Sequence, residues 1–161
     1  MQDSKNGLLL FRHGVPLSQD QCPKTTEEKD RMKAVPYAFT MGNLMYAMLC
    51  TRPAICFVVR IGSTYQSNPG IEHWMAVKHI LKYLRSMRDY MLVYHCNKLL
   101  PLGYTDSNFQ SNRDSHKSTF GFVFTLGGGD VSWRSMKQSC TPDSTMDAKY
   151  IVASEATKEV V

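Results

Sequence analysis

The sequence predicts an α+β chain: helices first, then antiparallel strands, then a closing helix. Three observations carry that reading. From Pro36 to Met87 the apolar residues recur at three- and four-residue spacing, which keeps one face of an α-helix apolar. After Asp89 the pattern changes to a period of two, and the glycine cluster Gly127-Gly128-Gly129 interrupts two β-rich runs as a hairpin turn would. From Ser144 onward the spacing is helical again.

The elements follow in order. Residues 1–35 show no sustained periodicity and read as an extended, irregular lead-in, with a short helix able to start after Thr25 or Thr26. Glu27 and Glu28 would lie in its first turn, where the helix dipole favours negative charge. Pro36 suits the start of the next helix, whose apolar face is Tyr37, Met41, Leu44, Met45 and Met48. Gly42 on that helix costs about 1 kcal/mol relative to alanine, and suggests close approach by another helix. Thr51-Arg52-Pro53 ends it and opens a second helix, apolar nearly all round from Ile55 to Ile61 and so expected to be buried. Ser67-Asn68-Pro69-Gly70 is a turn. A third helix, Ile71 to Met87, sets Trp74, Val77, Leu81 and Leu84 on one stripe and the cations Lys78, Lys82 and Arg85 on another. Strands are then expected over Tyr90–His95, Leu99–Phe109, Ser118–Leu126 and Val131–Met136. Ser144 is a plausible N-cap for the last helix, with Ala148, Ile151, Val152 and Ala156 on its apolar face.

With 161 residues and 18.3 kDa the chain has room for one ordinary domain or two small ones. A hydrophobic share of 43% with only 20% charged residues excludes bulk disorder. No apolar run approaches the ~18 residues that cross a bilayer, so no membrane partner is expected. The opening Leu8-Leu9-Leu10 run lacks a following small-residue cleavage site, so the expectation is an intracellular product, cytoplasmic or nuclear, and not a secreted one. Cys22, Cys50, Cys56, Cys96 and Cys140 are odd in number and include no CxxC pair, which argues for reduced thiols over a disulfide framework or a zinc site. The histidines at 13, 73, 79, 95 and 116 are equally scattered.

Charge is uneven. The net +5 divides into +6 over residues 1–98 and −1 over 99–161. A basic first part is able to meet phosphates, and the stripe Lys78, Lys82, Arg85 is the candidate contact; the same stripe also reads as an ordinary solvated face. Asp106 interrupts an apolar strand between Thr105 and Ser107. A carboxylate there is either compensated, as by a metal ion, or exposed.

Several segments together resemble the Pol polyprotein of copia-type long-terminal-repeat retrotransposons, especially those of plants. They are VPYAFTMGNLMYAMLCTRPAICFVV, YQSNPGIEHWMAVKHILKYLRSMRDYMLVY, LGYTDSNFQ, KSTFGFVFTLGGGDVSWRSMKQ and STMDAKYIVASEATKE, which cover most of the chain. The resemblance implies that residues 36–98 correspond to the helical thumb and connection at the end of the reverse transcriptase, and 99–161 to the first part of a ribonuclease H domain. The implied partner is an RNA–DNA hybrid, and the implied cofactor is Mg²⁺. In such chemistry two dications, about 4 Å apart, activate water and stabilise the leaving oxygen, and hard carboxylate oxygens hold them.

The resemblance places the family's first carboxylate at Asp106. Its second lies in a motif usually reading STxEAEY, which here is Ser144 to Tyr150, STMDAKY. Asp147 keeps the first acid of that motif, and Lys149 stands where the metal-binding glutamate would be. An amine in that place brings like charge toward the ions, at about 4 kcal/mol for each unit contact near 4 Å in an effective dielectric of ~20. Asp147 is two residues away, about 200° round the helix, and is a poor substitute. The family's later carboxylates have no counterpart among these residues. Ala54 replaces the acid of a TRPDI motif and Asn108 that of a TDSD-like run. The implied function is thus a degenerate Pol fragment whose ribonuclease H chemistry is lost. The alternatives are an active enzyme completed by a longer product or another chain, and a non-enzymatic nucleic-acid-binding or assembly module.

Overall fold

The computed structural model describes residues 17–95, 100–108, 114, 117–138 and 144–160. They form four helices, a three-stranded antiparallel sheet and a fifth helix, an α+β arrangement in two compact units that divide between Met91 and Leu92.

The first unit begins with buried Leu17 and Ser18 and a 3₁₀ turn, Gln19–Gln21. Helix α1, Thr26–Lys33, starts where a reciprocal cap allows it. Thr25 Oγ1 accepts the Glu28 N–H at 3.3 Å, and Glu28 Oε2 accepts the N–H groups of Lys24 and Thr25 at 2.9 and 3.2 Å. Those two backbone donors hold the Glu28 carboxyl below the usual range. The cap is therefore fully present above the unfolded carboxylate range and weakens as acid protonates Glu28.

Helix α2, Tyr37–Cys50, follows Pro36. A 3₁₀ turn at Pro53–Ile55 leads into α3, Cys56–Ser63, and α4 spans Ile71–Ser86. Tyr37, Met41 and Leu44 from α2, Ile55, Val58 and Val59 from the α3 region, and Val77 and Ile80 from α4 build one core. The expected face of α2 is thus the buried one. Gly42 lies on the other side of α2, where an added Cβ would meet nothing within 4 Å, so it marks no close helix approach within the described residues. On α4 the buried line is His73, Val77 and Ile80, while Trp74, Leu81 and Leu84 flank it half-buried.

The second unit holds β1, Pro101–Asn108, β2, Thr119–Leu126, and β3, Gly129–Lys137, in the order β1-β2-β3. The β2–β3 loop is Gly127-Gly128, with φ of 58° and 84°. Two residues at positive φ define the hairpin turn that matches strand twist, and glycine adopts it without a Cβ penalty. Helix α5, Thr145–Val160, lays Val152 and Ala156 against Phe120 and Phe122.

One expected strand is absent. Tyr90–His95 runs as irregular backbone. The His95 N–H donates to Gly127 O at 2.8 Å and the Tyr94 hydroxyl to Asp130 O at 2.8 Å, which fixes the segment at the hairpin turn by single bonds and not by a ladder. Period-two patterning makes a strand only where a partner edge is available.

Tyr37 is the polar tie of the first core. Its buried hydroxyl donates to Gly62 O at 2.8 Å, and burial, aided by the nearby Cys22 thiol, pushes its ionisation up to about 12. In the unfolded chain it ionises near 10. The resulting stability is complete below that value and lost as pH rises toward 12. Tyr37→Phe removes one buried bond to Gly62 O, which keeps the Tyr65 N–H at 3.2 Å, and should cost about 0.5–1.5 kcal/mol at neutral pH. It should also flatten the alkaline loss of stability. Denaturant melts of both proteins from pH 7 to 11.5 check both effects.

Candidate functional site

Asp106 lies in the second half of β1, opposite Gly121 of β2, which is in turn opposite Ser135 of β3. Opposed residues of an antiparallel pair share a face, and neighbours along a strand alternate. Phe120, Phe122 and Phe124 therefore share one face with Ser107, Thr105 and Gly103, and α5 closes on it. Asp106 belongs to the other face, and it is exposed. Its position in mid-strand thus costs no burial of charge, which removes the physical need for a compensating ion.

Asp147 and Lys149 of the last helix are also exposed. The Asp147 N–H donates to Ser144 Oγ at 3.1 Å, the predicted N-cap, and Asp147 sits in the first turn, where its charge suits the helix dipole. Lys149 stands exposed two residues on. Among the described residues no three His, Cys, Asp or Glu side chains come together as a metal-binding group. Mg²⁺ takes near-octahedral oxygen coordination from carboxylates, water and phosphate. The donor set here, with an amine at 149, does not fit a carboxylate-held pair of such ions.

The basic stripe is brought together by α4. Lys78 and Arg85 are exposed and Lys82 is half-buried. Lys78 Nζ lies 5.7 Å from the centre of the Trp74 ring, a cation–π distance. Arg85 lies in the last turn of α4, where positive charge complements the dipole.

Other residues of the recognisable segments do structural work. The Gln138 N–H donates to Ser118 O, and its Nε2 donates to Ala148 O, both at 2.9 Å. These bonds tie the end of β3 to the start of β2 and to α5. Both Ser118 and Gln138 are buried. An added Cβ at Gly121 would meet the Arg134 carbonyl at 3.4 Å, an ordinary contact. Trp133 is half-buried opposite Val123. Of the expected thiols, Cys22, Cys50 and Cys56 form no disulfide, while Cys96 and Cys140 lie outside the described residues.

Sequence reasoning passed over His73, the fully buried histidine of the first unit. Its Nδ1 accepts the Gly70 N–H at 2.8 Å, its Nε2 lies 3.2 Å from Ser18 O, and its ring stacks on Tyr65 at 4.2 Å. The available signal was its helical spacing ahead of the buried Val77 and Ile80, which puts it on the core face of α4.

A helical unit joined to a small helix-backed antiparallel sheet defines the general class, and relatives define the family. The chain is 46% identical over 147 residues to the retrovirus-related Pol polyprotein of transposon TNT 1-94 from Nicotiana tabacum, a match covering 91% of this chain and 11% of that one. It is 40% identical over 131 residues to secreted RxLR effector protein 161 of Plasmopara viticola, covering 81% of this chain and 92% of that protein. The Pol polyprotein of transposon RE2 from Arabidopsis thaliana is 30% identical over 125 residues, 77% of this chain and 8% of the polyprotein. The chain belongs to the family of copia-type transposon Pol polyproteins and their short relatives, and it spans about a tenth of the length of the polyproteins it matches. No family model and no solved structure matches it.

The Gln138 contact yields a sharp test. Gln138→Glu replaces the donor facing Ala148 O with a buried carboxylate. At neutral pH the change should cost at least about 2 kcal/mol. Because burial raises the carboxyl's folded pKa, acid should restore part of the loss, as the protonated group again donates. Denaturant melts at pH 7 and pH 4.5 measure the difference, with wild type as the reference.

Proposed function

We propose that this chain is a catalytically silent piece of a transposon Pol polyprotein. Its first unit corresponds to the end of the reverse transcriptase, and its second to the opening part of a ribonuclease H domain. The observation that carries the proposal is Lys149: an exposed amine on the first turns of α5 stands where the resembled motif has a metal-binding glutamate, and of the two metal-ligand places matched here only Asp106 keeps its carboxylate. Two dications need several negative oxygens around them to offset their mutual repulsion. One carboxylate and an amine supply too little.

The test is incubation of the purified chain with a labelled RNA–DNA hybrid in Mg²⁺ and in Mn²⁺. The expected result is an intact hybrid at every metal concentration. Metal-dependent cleavage that Asp106→Asn abolishes would overturn the proposal. Cleavage appearing only after a downstream Pol segment is supplied in trans would instead assign the chain as one part of a divided enzyme.

A second reading is nucleic-acid binding without catalysis. The observation favouring it is the exposure of Lys78 and Arg85 along one side of α4 in the basic part of the chain. Binding to hybrid or single-stranded RNA should weaken steeply with salt. Replacing Lys78, Lys82 and Arg85 with alanine should reduce the slope of log affinity against log salt by about 0.7–0.9 for each phosphate no longer neutralised. Fluorescence anisotropy across a salt series measures it, and equal slopes in the two proteins would dismiss this reading. No helix among the described residues is long and apolar enough to cross a membrane. On this reading the chain works inside the cell, with the nucleic acids of its parent element.

A further inference from the structure

We propose that His73 is an acid-sensitive pin that docks residues 17–22 onto the start of helix α4. The bonding pattern fixes the state of the ring. Nδ1 receives the Gly70 N–H at 2.8 Å, so it carries a lone pair and no proton. The proton therefore sits on Nε2, which donates to Ser18 O at 3.2 Å. Both nitrogens are used, in a ring with no exposed surface. Protonating Nδ1 would aim an N–H at the N–H of Gly70 and place a charge where no water reaches it. The imidazolium cannot keep this arrangement.

The elements around the ring show what it holds. Tyr65, after α3, stacks on it at 4.2 Å with the planes 18° apart, and the Tyr65 hydroxyl donates to Leu17 O at 3.0 Å. Two consecutive carbonyls of the entering segment, Leu17 and Ser18, are thus held by Tyr65 and His73. The Gln21 carbonyl packs directly on Gly70, at the place where any Cβ would stand. The segment's own turn is closed by the Gln21 and Cys22 N–H groups, donating to Ser18 O at 3.2 Å and Gln19 O at 3.0 Å. The titratable groups on the segment and the first turn of α4 are Asp20, exposed, Cys22, half-buried, and Glu72, exposed; Lys78, His79, Lys82, Tyr83 and Arg85 lie further along α4. The two exposed carboxylates act on the ring through water, where their attraction for an imidazolium is weak. Asp20, Cys22, Gly70 and Glu72, with Lys24 and with Glu28 of α1, line a groove of about 440 Å³.

The sign follows from the bonds. The docked state prefers neutral His73, and a released histidine takes its proton near pH 6.5. Docking is therefore complete above that pH and weakens below it, by up to tenfold for each pH unit, the limit for one proton.

The experiment is amide exchange by NMR on the whole chain between pH 7.5 and 4.5, corrected for intrinsic exchange, with the imidazole signals followed in the same samples. Protection at Gly70, Gln21 and Cys22 should fall toward that tenfold slope below pH 6.5, while the amides of Val77 and Ile80 stay protected. The His73 imidazole should titrate below 6.5. His73→Phe keeps a ring against Tyr65 but neither bond, and its segment should be equally unprotected at both ends of the range. Gly70→Ala, which displaces Gln21, should release the segment at pH 7.5 and let His73 titrate as an ordinary histidine. Flat protection in the wild type, a fall in Val77 and Ile80 in step with the segment, or the same acid dependence in His73→Phe would each overturn the proposal.

Discussion

The contact of α5 with the phenylalanine face of β2 governs the second unit. Val152 and Ala156 press on Phe120 and Phe122, and the strand period of two then leaves no freedom for anything else. Gly103, Thr105 and Ser107 must share the covered face, and Asp106 must take the other. A slip of one residue would move the phenylalanines into water, at about 1.5–3 kcal/mol for each large side chain. That sum far exceeds any preference of a single carboxylate. The position of Asp106 is thus a by-product of apolar packing, and it holds whether or not an ion is ever bound. The apolar contact keeps this fold whatever side chains stand on the exposed side of α5.

Lys149 lies on that exposed side. Lysine is a good helix former, and Lys149 is exposed, so the fold carries it at little cost. Its charge matters only to a neighbour with charge. The residues that hold the sheet to the helix, Ser118, Gln138 and Ala148, are buried and joined by two bonds of 2.9 Å. They answer to stability, and they match the recognisable motifs. The Plasmopara relative, 92% of whose length is covered, shows that this stretch also occurs as nearly all of a short protein.

Much of the fold was legible because its signals are local. Thr25 and Thr26 followed by two acids announced a helix start, Ser144 announced a cap, and consecutive glycines announced a turn that needs positive φ. The buried face of α2 could be read by counting fours and threes. Reading failed where local pattern needs a distant partner. Tyr90–His95 alternates like a strand, but it is held by single bonds to Arg52 and the hairpin and by no strand ladder among the described residues. The stripe on α4 was read as Trp74, Val77, Leu81 and Leu84, of which Val77 alone is fully buried, and it left out His73 because histidine is counted as polar. A histidine with both nitrogens bonded buries as readily as an apolar ring, and His73 therefore joins Val77 and Ile80 on the core face. For the candidate site, Asp106 and Lys149 came from words in the sequence, whereas the face each occupies required the register.

The first unit applies the same logic of satisfied polar groups to its own entrance. A segment that docks by backbone carbonyls gives almost no pattern in its side chains, which is why residues 17–22 looked irregular. Their fixed points are donors elsewhere: the Tyr65 hydroxyl and the His73 ring. The third requirement is an absence, the missing Cβ of Gly70, which lets Gln21 approach the start of α4. Each is ordinary in a sequence, since a tyrosine, a histidine and a glycine near a turn invite no special reading. Their meaning lies in meeting one another. Three weak local signals converge on one short stretch of backbone, and the order they impose depends on the protonation of a single ring.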